Sequence, residues 1–87
     1  MTTSALKKVL VVDDFEGVAT LVKEAIEDIN YTVKTACSAE DGYRTYLRFK
    51  PDILITDIEM GAKNGFELAE DIRSLNPCLF FLFLFEG

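Results

Sequence analysis

The sequence has no histidine and no tryptophan. Zinc sites built on imidazole and histidine general bases are therefore excluded. Its two cysteines, Cys37 and Cys78, stand far apart with no CxxC spacing. A disulfide framework needs four or more, so both thiols are expected to be reduced and buried, in a reducing cytoplasm. Basic residues are scarce: nine Lys and Arg face fifteen Asp and Glu, for a formal net charge of −6. A nucleic-acid-binding module needs a basic face to displace counterions from phosphates, and this balance argues against one. Long apolar runs are missing too. The longest, Cys78 to Phe85, has eight residues, whereas a membrane-spanning helix needs about 20. Residues 1–12 hold two lysines but no apolar stretch followed by a small-residue cleavage site, so they are not a secretory signal. Internal repeats and low-complexity linkers are absent. The expectation is a soluble protein without a membrane partner.

What remains is 87 residues, 49% of them apolar. That is one small domain over residues 1–87, too apolar for a disordered acidic tail and with a thin stability margin. The chain alternates strand and helix. Leu6 to Val12 contains the apolar run Val9 to Val12, rich in β-branched residues, and ends at Asp13 and Asp14; such a run suits a strand buried on both faces. Val18, Leu21, Val22, Ala25, Ile26 and Ile29 then recur at helical spacing, with Lys23, Glu24, Glu27 and Asp28 opposite and Asn30 as a stop. Tyr31 to Ala36 alternates and reads as an edge strand. Ser38 begins a helix as its cap, Asp41 takes the third helical position, and Ala39, Tyr43, Tyr46 and Leu47 supply the apolar side. Tyr43 and Tyr46 are expected to pack, not to form a binding platform. Pro51 closes the unit.

Asp52 to Asp57 predicts a third strand with a carboxylate at its end. Ile58 to Gly65 is a loop with two glycines and an asparagine, and its Lys63 reads as solvated. Asn64 with Glu67 three residues on is a possible capping box. Phe66, Ala69, Ile72 and Leu75 form the stripe of a third helix, which Asn76-Pro77 ends. Leu79 to Phe85 is the fourth strand. This βαβαβαβ order predicts a mostly parallel sheet with helices on both faces. If the strand order is 2-1-3-4, the crossovers reverse between strands 1 and 3, and ligands of such folds sit at the carboxyl ends of the strands at that point. Asp13, Asp14 and Asp57 wait there. Three carboxylates in one crevice repel: either some are protonated, or a cation holds them together. Their number and hardness suit Mg²⁺, and an Asp beside bound Mg²⁺ can accept a phosphoryl group. Singly, an Asp-Asp pair after a strand is as often a helix cap, and a lone Asp at a strand end more often a turn residue. The combination is more specific than its parts.

VLVVDD (9–14), PDILITDIEM (51–60) and NGFELAEDIR (64–73) together resemble the response-regulator receiver domain of two-component signalling, from about Lys8 to the end of the chain. The resemblance implies an α/β, flavodoxin-like, doubly wound parallel sheet with strand order 2-1-3-4. It implies Asp57 as phosphoacceptor, fed by a histidine kinase or histidine phosphotransfer protein, which brings the histidine this chain lacks. Asp14 matches the direct Mg²⁺ ligand and Asp13 the acidic partner acting largely through water. Glu59 matches the position whose backbone carbonyl completes the metal site and whose side chain tunes dephosphorylation. Any enzymatic activity would be at most self-catalysed aspartyl phosphorylation and dephosphorylation. Gly61 stands where the family usually has Pro, so a floppier loop is expected.

A complete receiver would add another helix, a fifth strand and a last helix, and Gly87 falls short of that by roughly one βαβ unit of 30 or more residues. That part carries the family's phosphate-contacting Lys and its switch aromatic. Aligned from Asn76-Pro77, Phe85 replaces a phosphate-binding Ser or Thr, and Glu86 a small residue. Two lost donors, at up to ~3 kcal/mol each, imply slow or absent phosphorylation. The alternative is a non-catalytic assembly fragment. A fourth strand left as an edge, long, apolar and uncharged over 79–85, is a template for pairing, giving a homodimer or a domain-swapped dimer.

Overall fold

Val9 to Val12 lie at the centre of the molecule, each at most 1% exposed. The computed structural model describes residues 7–27 and 30–84. Along the chain run β1 (Lys7–Val12), α1 (Glu16–Glu27), β2 (Tyr31–Ala36), α2 (Ala39–Phe49), β3 (Ile53–Asp57), α3 (Gly65–Arg73) and β4 (Phe80–Leu84). The strands form one parallel sheet in the order β2-β1-β3-β4, as the resemblance implied. The bounds of β1 and β4 differ from the expected 6–12 and 79–85 only at their ends; Leu6, Phe85 and Glu86 lie outside the described residues.

The two faces of the sheet build separate halves of the core. Leu10, Val12 and Leu54 meet Tyr46 of α2 and Leu68 and Ile72 of α3. Val9, Val11, Val33 and Ile55 meet Ala19 of α1, with Val22 and Ile26 partly buried beside them. A buried strand apolar on both sides is what a parallel sheet covered on both faces requires. Gly42 permits the close approach of α2 to β1: a Cβ there would lie 2.9 Å from Val12 Cγ2.

Local signals set most boundaries. Ser38 Oγ accepts the Asp41 N–H at 3.0 Å and caps α2. At the other end Lys50 turns left-handed (φ 51°) and its N–H reaches the Tyr46 carbonyl, with Pro51 directly after. Asn30 likewise has φ 65° in the turn before β2, a conformation asparagine tolerates. Asp52 does not join β3. Its Oδ2 accepts the Lys8 N–H at 2.9 Å while its own N–H donates to the Lys8 carbonyl at 2.8 Å, which closes the strand ladder at that end.

Several apolar assignments need correction. Leu21 and Ala25 of the α1 stripe are exposed, Leu21 at 67%; Asp28 and Ile29 lie outside the described residues. In α2, Leu47 is exposed and Phe49 takes its place against the core. In α3, Phe66 and the following Leu75 are exposed, while Leu68, unforeseen, is buried with Ala69 and Ile72. Each helix meets the sheet over a narrower arc than its apolar stripe, so the stripe's margin stays in solvent. Both cysteines are free, as expected, but exposed, since each lies in a connection just outside a strand or helix.

Candidate acidic site at the strand ends

The site begins where β1 runs out. Asp13 extends the β1–β2 ladder by one bond, its N–H donating to the Ala36 carbonyl at 3.0 Å. Its Oδ1 accepts the Phe15 N–H at 2.9 Å, and the Phe15 carbonyl in turn accepts from Val18 and Ala19 at the start of α1. Asp13 therefore makes a local turn just before α1, where the sequence alone allows a helix cap for the Asp-Asp pair, from a position only 3% exposed. Asp14 follows and faces solvent. Asp57 ends β3, is 9% exposed and lies in register with Leu84 of the neighbouring strand. Carboxylate oxygens of Asp13, Asp14 and Asp57 all lie within 4.8 Å of one another. The juxtaposition follows from topology, since β1 and β3 are adjacent, parallel and end at the same rim.

A crevice of about 690 Å³ opens over Asp14 and Asp57, lined also by Phe15, Ile58, Glu59, Phe66 and Leu84. Glu59 thus stands beside the cluster on the loop after β3. Phe15, Phe66 and Leu84 form an apolar rim that sequence reasoning did not identify. Phe15 had a signal, its place directly after Asp13-Asp14; Phe66 and Leu84 arrive only through tertiary register.

The loop after Asp57 is held at both ends. Gly65 donates its N–H to the Ile58 carbonyl at 2.7 Å, and a Cβ on Gly65 would fall 2.1 Å from the Asp57 carbonyl oxygen. Met60 of this loop is buried in the core. Gly61 has φ +49°, which proline's ring forbids, so this loop takes a path that the family's usual residue could not follow. Lys63 does not enter the acidic crevice. It pairs with the Asp71 carboxylate of α3, and that hydrogen bond holds its ammonium above the ordinary lysine pKa.

The donor set suits a hard divalent ion. Mg²⁺ takes oxygen ligands at about 2.1 Å, so two oxygens on one ion lie at most roughly 4.2 Å apart. A spread within 4.8 Å closes onto such an ion by small side-chain rotations or through a bridging water.

A doubly wound parallel sheet with an acidic cluster at the switch between β1 and β3 defines a class of α/β signalling and ligand-binding domains. The comparisons narrow it. The family model for the response regulator receiver domain matches residues 9–84. The CcdB protein of Bacillus subtilis is 33% identical over 73 residues, covering 83% of this chain and 61% of that protein. The chemotaxis protein CheY of Thermotoga maritima is 32% identical over 72 residues, covering 82% of this chain and 60% of that protein. The crystal structure of a response regulator receiver domain protein from Clostridium thermocellum superposes with a TM-score of 0.85 at 28% identity, over 90% of this chain and 64% of that one. This chain belongs to the response regulator receiver domain family. It spans about three-fifths of the length of these two curated relatives. Among the described residues, no helix is long and apolar enough to cross a membrane.

Proposed function

We propose that this chain, as one receiver-like domain over residues 1–87, accepts a phosphoryl group on Asp57. The observation that carries the reading is the convergence of Asp13, Asp14 and Asp57 within 4.8 Å at one rim of the sheet. The donor is the phosphohistidine of a histidine kinase or histidine phosphotransfer protein, and the setting is cytoplasmic, in keeping with two free, exposed thiols. A carboxylate oxygen of Asp57 attacks phosphorus; the O–P bond forms as the P–N bond breaks, and the imidazole leaves with the electron pair and takes up a proton. Asp13 and Asp14, with Asp57 and the Glu59 backbone carbonyl, would hold Mg²⁺. That ion would neutralise charge on the carboxylate and the incoming phosphoryl oxygens.

Transfer is slow in this chain. The crevice is lined by Asp14, Asp57, Glu59 and apolar groups, and Lys63 is engaged with Asp71, so no cation among the described lining residues meets the phosphoryl group. One preorganised donor in an oxyanion hole is worth about 3 kcal/mol, which sets the scale for a missing cation. Incubation with a small acyl phosphate and Mg²⁺, read by intact mass, should give a slow single-phosphoryl increment that is absent from Asp57→Asn. No increment in the unmodified chain, or an undiminished one in Asp57→Asn, would contradict the assignment. Rapid saturation would contradict the slowness.

A second reading is an assembly fragment that self-associates through strand 79–85. It is favoured by the exposure of Phe80 and Leu82 on β4, the outermost of the described strands on that side.

A further inference from the structure

The chain has three asparagines and no glutamine, so a side-chain amide can be lost at three places. The usual route is attack on the asparagine side chain by the backbone nitrogen of the next residue. Asn76 precedes Pro77, whose nitrogen has no proton to give up. Asn30 precedes Tyr31, whose side chain crowds the approach. Asn64 precedes Gly65, which has no Cβ and leaves the approach clear. Asn64 is also exposed, at the start of α3. Both reacting groups are nevertheless engaged in the fold. Asn64 Oδ1 accepts the Glu67 N–H at 2.8 Å, and Glu67 Oε1 accepts the Asn64 N–H at 2.9 Å. The Gly65 nitrogen is buried, and its N–H donates to the Ile58 carbonyl at 2.7 Å. Ring closure requires Asn64 Cγ to swing onto that nitrogen. The cap bond and the Gly65–Ile58 bond must both break first.

We infer that Asn64–Gly65 is the site of spontaneous deamidation in this chain, and that the capping box and the Gly65–Ile58 bond together form the latch that holds it shut. Reaction starts when the N-terminus of α3 opens locally. The Gly65 nitrogen then gives its proton to solvent base and attacks Asn64 Cγ. The N–Cγ bond forms, the Cγ–Nδ2 bond breaks, and Nδ2 takes up a proton and leaves as ammonia. Water opens the resulting cyclic imide at either carbonyl. One opening gives aspartate, which can cap the helix as asparagine does. The other gives isoaspartate, in which the main chain runs through the former side chain and is one carbon longer. That carbon enters just before Gly65, where there is no slack: a Cβ on Gly65 would lie 2.1 Å from the Asp57 carbonyl oxygen. The isoaspartyl chain therefore gives up the capping box and displaces the backbone packed against Asp57. The chemistry consumes only water and does not depend on phosphoryl transfer at Asp57.

Incubation of the 87-residue chain in mildly alkaline buffer, with and without denaturing guanidinium chloride, tests this by peptide mapping that separates asparagine, aspartate and isoaspartate. In denaturant, conversion at position 64 should outrun that at 30 and 76. Without denaturant it should slow by roughly tenfold or more, because it waits on local opening. Glu67→Ala removes one cap bond and should speed the folded reaction by about fivefold, whereas Glu67→Gln can still cap and should leave the rate near its original value. In denaturant the three chains should react alike. Faster conversion at Asn30 or Asn76 in denaturant overturns the site. A folded chain that reacts as fast as the unfolded one, no acceleration in Glu67→Ala, or equal acceleration in both variants overturns the latch. The isoaspartyl product, separated from aged material, should show displaced amide NMR signals at Asp57 and Gly65. Signals that coincide with those of the fresh chain overturn the displacement.

Discussion

Asp13 answers two demands with one side chain. Its Oδ1 takes the Phe15 N–H and fixes the entry to α1, and its carboxylate joins those of Asp14 and Asp57. A local turn role and a place in the acidic cluster are therefore not alternatives at this residue. Both aspartates were visible in sequence because a β-branched apolar run that stops abruptly at two carboxylates marks the point where a buried strand reaches the rim of its sheet. Gly65 was not visible. It reads as one more loop glycine, yet it is the first residue of α3 and is buried where its α-carbon approaches the Asp57 carbonyl. Only the return of the chain from α3 to the end of β3 creates that demand. Gly65→Ala places a Cβ 2.1 Å from backbone that also carries the site. It should destabilise the fold by about 1–3 kcal/mol, as overpacking does, read as a lowered urea midpoint at unchanged slope. An unchanged midpoint would show that the contact relaxes freely.

At the scale of elements, the polar signals proved easier to read than the apolar ones. Asn64 and Glu67 form a reciprocal capping box, with Asn64 Oδ1 accepting the Glu67 N–H at 2.8 Å and Glu67 Oε1 accepting the Asn64 N–H at 2.9 Å. Both bonds are local, so three residues of spacing suffice to foresee them. Which apolar residue of a stripe reaches the core depends instead on where the helix lands. Leu68 is buried and Phe66 exposed because α3 presents its Leu68–Ala69–Ile72 edge inward. No periodicity can choose between two such edges of one stripe. Asn64→Ala removes one accepted bond at the N-terminus of α3 and should cost about 1 kcal/mol, whereas Asn64→Asp should cost little. Equal losses for both, measured by thermal or urea unfolding, would assign the effect to the loop and not to the cap.

For the molecule as a whole, strand order decides where function lies. Placing β1 beside β3 brings residues 13, 14 and 57 to one rim. Alternation of strands and helices made the parallel sheet legible, while the order 2-1-3-4 came from the resemblance of three motifs and not from periodicity. The acidic cluster is the part on which all the rest depends. Titration with Mg²⁺, followed by amide and carboxyl NMR signals of Asp14 and Asp57, tests it most directly. Saturable shifts at both residues, reversed by a chelator and not produced by Na⁺ at equal ionic strength, are the expected result. Signals at both residues that stay in place throughout the titration would contradict a divalent-ion site at these carboxylates.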